Sequence, residues 1–435
     1  MKVKIERLDI YTHSSTVSFS FDSKITFIYG NIGVGKTTLL SLAIYCLGGD
    51  LVETPAVKDQ FLSAGLSVRL GTDRYLFRRE YKSARIFVSD EAGWIYSIDK
   101  KKVSQFLYDK AGIRSIYYER QGVDTPNQLT FKNYLWYSYL NQADIDSNFF
   151  YLGKDANEFY QTASLNALAS LLGKNSFVNE DEKRLLAEKR KRFKKYDHGR
   201  VALNYVISEE LMELMLEEYK HTDKASEKGK ILGRAILNYN RFLGEHCELK
   251  RQISDIASHM PKGAEPEFEK NLHELGEIFK KSLISIGFPS ISEADQVRYD
   301  ERTLNPTITN EYTGTEYSFD FLGSGGKKTL FKICFLLAVH IKAEQIFSDR
   351  NRLPSLIIID TPMKNISERE DKELFEHFYR YLLELSNGSL SKTQFIIIDK
   401  EKNDIISKEN AHIISISKEH PLFPEFVDVN IRRRK

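Results

Sequence analysis

Residues 30–37 of this 435-residue chain read Gly-Asn-Ile-Gly-Val-Gly-Lys-Thr, the full pattern of a phosphate-binding loop. A short β-rich run at residues 25–29 precedes the loop, and a helical pattern at residues 38–46 follows it. In such a unit the glycines turn backbone N–H groups inward, and the helix N-terminus adds positive potential. Lys36 would reach the β- and γ-phosphates and the Thr37 hydroxyl would bind Mg²⁺, so the loop predicts a nucleoside triphosphate site. The candidate residues of that site are Gly30, Asn31, Gly33, Gly35, Lys36, Thr37 and Thr38.

A second candidate is an acidic residue at the end of a strongly apolar run. Residues 356–360 read Leu-Ile-Ile-Ile-Asp, which suits a central strand buried on both faces with Asp360 at its carboxyl end. In P-loop enzymes an acid at this point holds Mg²⁺, directly or through water. We therefore predict that Asp360 and Thr37 serve the same metal ion.

A Ser-Gly-Gly turn opens a long helical pattern upstream of that acid. Ser324, Gly325 and Gly326 would expose a hydroxyl and several free backbone N–H groups, which makes a further anion site. Alone this is a weak signal, because Gly-Ser turns are common. Its position before a helix and then the apolar strand makes it informative.

Composition narrows the class of protein. The chain is 41% hydrophobic and 29% charged, enough for two or three structural units in a soluble protein. The longest apolar run, residues 333–341, is too short to span a bilayer, so we expect no membrane association. The three cysteines form no C-x-x-C pair, which argues against a zinc site or a disulfide framework and fits the cytoplasm. The net charge of +2 neither supports nor excludes nucleic acid.

The composition of the sequence and the spacing of its apolar residues change twice along the chain. Residues 1–172 begin strand-rich and become helical after about residue 100, and β-like runs return in residues 288–435. Between them, residues 173–287 are rich in charges, Leu and Ile at helical spacing. We predict an α/β framework split into an N-terminal lobe and a C-terminal lobe by a helical insert. A projecting coiled coil and a compact helical subdomain both fit the insert.

Two segments are strongly basic. Residues 183–195 contain eight Lys or Arg in thirteen positions, and residues 431–435 form a second cluster. Either segment could contact phosphates, and either could equally be a solvated helix face or a tail.

With these motifs in this order, the chain resembles ABC-type ATPases of the SMC, RecF, RecN and SbcC group. The resemblance covers residues 1–172 and 288–420. It implies an α/β P-loop ATPase head built from two lobes, with an inserted helical hairpin or short coiled coil. Residues 139–146 resemble the Q-loop of the group, which implies that Gln142 senses Mg²⁺ and the attacking water. Ser324 to Gly326 match the signature turn, which implies contact with the γ-phosphate held by a second subunit.

The chain also departs from the pattern of the group. The catalytic Glu that usually follows the acid at position 360 is Thr361 here, and threonine cannot act as a base at neutral pH. The position after the last core strand usually carries His and here gives Asp399. Asp399 could partly replace the missing base, or hydrolysis could be slow and ATP could mainly drive dimerisation.

The resemblance implies an ATPase with ATP and Mg²⁺ as its cofactors and an ATP-dependent homodimer as its working form. Dimerisation would control non-specific DNA binding, in DNA repair, genome maintenance or antiphage defence. The alternative is a nucleotide-gated regulatory or scaffold subunit that controls a protein effector. No nuclease motif accompanies the ATPase motifs, so an effector activity of that kind would reside in a partner protein.

Overall fold

The computed structural model describes residues 1–113, 115–118, 127–153, 156–174, 185, 188–199, 209–258, 266–347, 351–366, 372–402 and 404–423. The described residues divide into two units. The first unit falls within residues 1–115, 129–174 and 265–435, and the second within residues 116–128 and 175–264.

The strands are β1 (Val3–Thr12), β2 (Thr16–Ser20), β3 (Ile25–Tyr29), β4 (Phe61–Leu70), β5 (Asp73–Glu80), β6 (Arg85–Asp90), β7 (Ile95–Asp99), β8 (Tyr117–Tyr118), β9 (Asn127–Gln128), β10 (Tyr139–Leu140), β11 (Gln296–Tyr299), β12 (Pro306–Thr309), β13 (Glu316–Ser318), β14 (Leu356–Asp360), β15 (Gln394–Asp399) and β16 (His412–Ser415). The helices are α1 (Lys36–Cys46), α2 (Pro55–Gln60), α3 (Val103–Ala111), α4 (Phe131–Leu135), α5 (Glu158–Leu171), α6 (residues 188–199), α7 (Glu209–His221), α8 (Glu227–Ser258), α9 (Pro266–Ser285), α10 (Gly325–Phe347) and α11 (Lys372–Asn387).

A parallel sheet with the order β10-β14-β15-β3-β16 carries the predicted motifs. Its inner strands β14 and β15 are buried throughout, as their aliphatic sequences predict. Asp360 pairs with Ile398, and Asp399 pairs with Tyr29. Parallel strands end at a common edge, so the phosphate-binding loop after β3 and the acids that end β14 and β15 meet there.

An antiparallel sheet with the order β2-β1-β4-β5-β6-β7 packs beside α1 in the first unit. Along β5 buried and exposed residues alternate, as expected for a sheet with one face on a core. Five of its six strands follow β-like runs that the sequence predicts. The edge strand β7 was not predicted, because its residues are exposed or half-buried and carry a weak apolar pattern.

Helix α10 is the most deeply buried helix among those described, from Thr329 to Ala343. Phe279 of α9 packs on α10, with its ring centroid 4.9 Å from that of Phe331 and 5.4 Å from that of Phe335. Helix α9 therefore belongs to the first unit, although it lies within the predicted insert of residues 173–287.

The second unit contains α6, α7 and α8. Helix α7 ends at His221 and α8 begins at Glu227, where the sequence predicts a break. Met212 of α7 packs with Ile236 and Tyr239 of α8 in a small apolar cluster. The 32 residues of α8 correspond to roughly 48 Å of helix. In the described part of the chain, we find no helix of the length and apolarity that a membrane span requires.

Candidate nucleotide site

The loop between β3 and α1 has the backbone that its glycines allow. Gly30 has φ +151°, and a Cβ atom there would lie 1.8 Å from the carbonyl oxygen of Ile416. Gly35 has φ +100° and precedes the first turn of α1. L-residues rarely adopt these angles, so both positions require glycine for the loop to close over a phosphate.

Lys36 points back into the loop. Its ammonium group donates hydrogen bonds to the carbonyl oxygens of Gly30 and Asn31, the latter at 2.8 Å. Burial lowers the pKa of Lys36, and the negative charges of Asp360 and Asp399 act against this shift. Lys36 therefore lies between the loop and two buried acids.

A cavity of about 420 Å³ opens beside this loop. It brings together residues that lie more than 300 positions apart in the sequence. The cavity is lined by Ile32, Gly33, Val34, Gly35, Lys36, Thr37, Thr38, Thr54, Pro55, Ala56, Gln142, Asp360, Thr361, Lys400, Pro421 and Phe423. Gly30 and Asn31 are not among these lining residues, although their carbonyl oxygens accept hydrogen bonds from Lys36.

Asp360 is fully buried and has an oxygen available for a ligand. Its Oδ1 atom accepts a hydrogen bond from the Thr361 hydroxyl at 3.0 Å, and its Oδ2 atom has no hydrogen-bond partner among the residues that the structure describes. Burial raises the pKa of Asp360, against the effects of Thr37 and Lys36. Mg²⁺ in nucleotide sites uses one or two carboxylates together with substrate phosphates. The unpaired carboxylate oxygen, the Thr37 hydroxyl and the Gln142 amide fit that ion.

Thr361 occupies a strained backbone position. Its φ is +62°, an outlier for a β-branched residue, while its N–H donates to the carbonyl oxygen of Ile398 at 2.8 Å. Its hydroxyl is already engaged with Asp360. Strain of this kind persists only where surrounding contacts enforce it, and it gathers at functional sites.

At the end of β15, Asp399 lies in the protein interior, and the next residue, Lys400, lines the cavity. Asp399 is buried and accepts hydrogen bonds from the Tyr379 hydroxyl at 2.6 Å and from the Lys400 N–H at 2.7 Å. It is not among the cavity-lining residues, whereas Lys400 is. Sequence reasoning missed Lys400, and the available signal was a basic residue directly after a buried strand.

Replacing Asp399 by Asn should flatten the pH dependence of stability in mild acid. Burial raises the pKa of Asp399 from 3.8 to about 6. The folded state then binds this proton more tightly than the unfolded state, so the stabilisation is complete below the unfolded pKa and is lost as pH rises through the folded one. Between about pH 4 and pH 6.5, the free energy of unfolding of the parent should fall by about 2 kcal/mol relative to the variant. Denaturant titrations at several pH values measure this, and parallel curves would contradict it.

The signature turn is not part of the cavity lining. Ser324 is exposed, and its hydroxyl accepts from the N–H of Lys327 at 3.3 Å at the start of α10. A Cβ atom on Gly325 would lie 2.4 Å from the Asn365 amide nitrogen, and one on Gly326 would lie 2.8 Å from Ile366. Both positions therefore require glycine, because a side chain at either one would collide with the segment that follows β14.

Four side chains that the sequence did not single out connect the Gln142 loop with the rest of the head. Lys364 donates to the Gln142 carbonyl oxygen at 2.7 Å and to Asp146 at 2.8 Å, and Asn365 donates to the same carboxylate at 2.8 Å. From α10, buried Lys332 donates to the Asp144 carbonyl oxygen at 2.8 Å, and burial lowers its pKa to about 7. Hydrogen bonds therefore join three segments of the chain, namely the loop that contains Gln142, the segment that follows β14, and α10.

Comparisons with known proteins agree with this architecture. The family model described as "AAA domain" matches residues 2–228, which is more than half of the chain. A crystal structure of the Smc head domain with an extended coiled coil, bound to the C-terminal domain of ScpA from Pyrococcus furiosus, is similar over 100% of both chains, with 13% identity and a TM-score of 0.55. A second structure, the SmcHead bound to the C-winged helix domain of ScpA, covers 94% of this chain and 93% of its own, with 13% identity and a TM-score of 0.47. No curated protein matches the chain.

The similarity to the Pyrococcus structure confirms the predicted fold class, the fold of an α/β ABC-type ATPase head. The family match covers the phosphate-binding loop and the whole antiparallel sheet. The chain belongs to the AAA-domain family, and its fold is similar to that of an Smc head domain.

Proposed function

We propose that this protein binds and hydrolyses ATP, and that ATP joins two copies of the chain. The observation that carries the proposal is the split between the two phosphate-binding elements. Lys36, Thr37 and Asp360 line the cavity, while the exposed Ser324 turn lies outside it. A second copy that presents its signature turn to the cavity would complete the site around the γ-phosphate.

Each residue of the cavity has a role in this proposal. Lys36 and Lys400 hold the phosphates by charge, and the loop N–H groups bind their oxygens. Thr37 and Asp360 would hold Mg²⁺, which when bound neutralises the charge that develops on the phosphates. Gln142 orients the attacking water. With Thr361 in place of a carboxylate, no general base faces that water from the Thr361 position, and we expect slow turnover.

Replacing Lys400 by Ala should lower ATP turnover by about 10²-fold, because a cation that faces the transferring phosphate is lost. Lys402→Ala is the matched control, since Lys402 is exposed in the same segment and does not line the cavity. The measurement is steady-state phosphate release at saturating ATP. Equal losses in both variants would remove Lys400 from the site.

For the biological role, we propose that dimerisation controls DNA binding, in repair, genome maintenance or antiphage defence. The lobes would be residues 1–172 and 288–435, with residues 173–287 as the helical insert, whose last helix, α9, packs on α10 of the C-terminal lobe. The Smc head of the Pyrococcus structure is bound to part of ScpA. In the same way, this chain could bind a protein partner, such as a separate nuclease. Thr361 favours the alternative, a nucleotide-gated subunit that controls a protein effector with little turnover. ATP hydrolysis measured with and without DNA tests this choice, because strong stimulation by DNA supports the first role and a flat response supports the alternative.

The basic run on α6 gives a sharper test of DNA binding. Its exposed members include Arg190, Lys191, Lys194 and Lys195, and the half-buried Lys189 is left unchanged. Reversing the four exposed charges to Glu should weaken binding to all DNA sequences alike, with a steep salt dependence between about 50 and about 200 mM. Gel-shift series with several unrelated sequences measure the effect.

A matched control separates the effect of the α6 charges on DNA binding from the effect of the overall charge of the protein. It reverses four exposed lysines of the first unit, Lys101, Lys102, Lys402 and Lys408. Equal weakening by both quadruple variants would leave the α6 run without a specific role. No weakening by either would favour the protein-effector alternative. The second basic segment, residues 431–435, lies outside the described residues.

A further inference from the structure

The segment that follows β16, residues 416–423, lies against the phosphate-binding loop at both ends of that loop. At the start of the segment, the Ile416 carbonyl oxygen would lie 1.8 Å from a Cβ atom on Gly30. Near the other end, the Leu422 N–H donates to the carbonyl oxygen of Val34 at 3.0 Å. The position of the 416–423 segment is therefore fixed by the loop that would hold the phosphates.

The contact at Leu422 also determines where its two neighbours lie. Leu422 is buried, and a Cβ atom on Gly35 would lie 2.6 Å from the Leu422 Cβ atom. The residues on either side of it, Pro421 and Phe423, both line the nucleotide cavity. Phe423 is the one aromatic residue among the described residues that line this cavity. The segment thus adds an uncharged, apolar wall to a site whose other groups suit phosphates and a metal ion.

The order of the strands places this wall on the opposite side of the loop from the acids. Strand β16 pairs with β3 on the side away from β15 and β14. Asp360 ends β14 and Gln142 follows β10, so the metal ion and the terminal phosphate of the proposed site lie on the β14 side. Three strand spacings, roughly 14 Å, separate β14 from β16. A nucleotide whose terminal phosphate lies beside Asp360 would therefore extend its base toward the 416–423 segment.

The other apolar part of the cavity offers less to a base. Thr54, Pro55 and Ala56 also line it, but none of them carries an aromatic ring. The Thr54 hydroxyl already accepts a hydrogen bond from the Val57 N–H at 3.3 Å. Bases bind well to aromatic side chains, because every base has a π-face that can stack on a ring.

We propose that Phe423 is the residue on which the nucleotide base stacks, and that the 416–423 segment provides the base subsite. This inference rests on the proposed function, because it concerns how the same site binds ATP. The phosphates are bound by charge and by loop N–H groups, whereas the base is bound by apolar surface. Stacking of this kind is tolerant of base identity, so GTP should also gain from Phe423.

The test compares ATP with inorganic tripolyphosphate, which has the three phosphates without the ribose and base. Both are titrated into the full chain by calorimetry, with Mg²⁺ present. Phe423→Ala should weaken ATP binding about tenfold and leave tripolyphosphate binding unchanged, because only the stacking surface is lost. Phe423→Tyr keeps the ring and should bind ATP like the parent.

A matched control removes a ring elsewhere in the first unit. Phe268 is 6% exposed and Phe423 is 5% exposed, and Phe268 does not line the cavity. Phe268→Ala should change neither affinity. Equal losses of both ligands in Phe423→Ala would show that the ring only supports the loop, and would overturn the base subsite. An unchanged ATP affinity in that variant would overturn it too. Both results leave the proposed function in place, whereas a parent chain that binds no ATP would contradict the proposed function itself.

A second measurement uses the parent chain alone, and it decides the question if Phe423→Ala does not fold. 8-Azido-ATP carries a photoreactive group on its base. Irradiation should label the tryptic peptide of residues 419–432, and an excess of ATP should prevent this labelling. Labelling confined to other peptides would overturn the proposal.

Discussion

Replacing Lys36 by Ala should weaken ATP binding by about 10²-fold or more. The Lys36 ammonium is the cation of the phosphate-binding loop, and it is held there by the carbonyl oxygens of Gly30 and Asn31. When ATP binds, this group would exchange those carbonyl oxygens for phosphate oxygens of higher charge. Charge-assisted hydrogen bonds of this kind contribute up to about 3 kcal/mol, which corresponds to the expected loss. Calorimetric titration with ATP and Mg²⁺ measures it.

Two controls belong with this variant. Lys402→Ala removes an exposed lysine outside the cavity and should bind ATP like the parent. Because the Lys36 side chain also bonds the loop, thermal unfolding must show that Lys36→Ala is folded. A folded Lys36→Ala protein with parental affinity for ATP would remove the basis of the nucleotide site.

Replacing Ser324 by Arg should leave ATP binding intact and abolish the ATP-dependent dimer. Ser324 is exposed at the start of α10, outside the nucleotide cavity of its own chain. In the proposed dimer this turn meets the phosphates held by the other copy, and a bulky side chain would prevent the close approach of the glycine backbone. Light scattering with and without ATP measures the mass.

The matched control adds the same side chain elsewhere. Ser14 is an exposed serine in the turn between β1 and β2, and Ser14→Arg should dimerise like the parent. If Ser324→Arg showed the full ATP-induced mass, the signature turn would have no part in joining two copies. If Ser14→Arg also failed to dimerise, the added charge itself would be responsible.

The sequence predicted those parts of the site that a local pattern encodes. The phosphate-binding loop depends on a contiguous glycine pattern, and Asp360 on an aliphatic run that ends in an acid. Both lie where expected, because parallel strands bring their carboxyl ends to one edge. Gln142 lines the same cavity, although only the family resemblance singled it out.

Contacts between distant segments could not be predicted in this way. Lys364 lies 218 positions from Asp146, and nothing in either neighbourhood indicates that they pair. The same holds for Lys332, which reaches a loop almost 190 residues earlier. Alternation at the end of β15 also decides which of Asp399 and Lys400 faces the cavity, and a shift of one residue exchanges them. The sequence pattern alone did not fix that choice.

Mixing two inactive variants tests the central claim most directly. Lys36→Ala keeps an intact signature turn, and Ser324→Arg keeps an intact phosphate-binding loop. If each nucleotide site is shared between two copies, a mixed dimer contains one site with both intact elements. Light scattering of the equimolar mixture with ATP should then show particles of twice the 50.4 kDa chain, although neither variant dimerises alone. A mixture that stays at the mass of a single chain, under conditions where the parent dimerises, would contradict a site completed by a second copy.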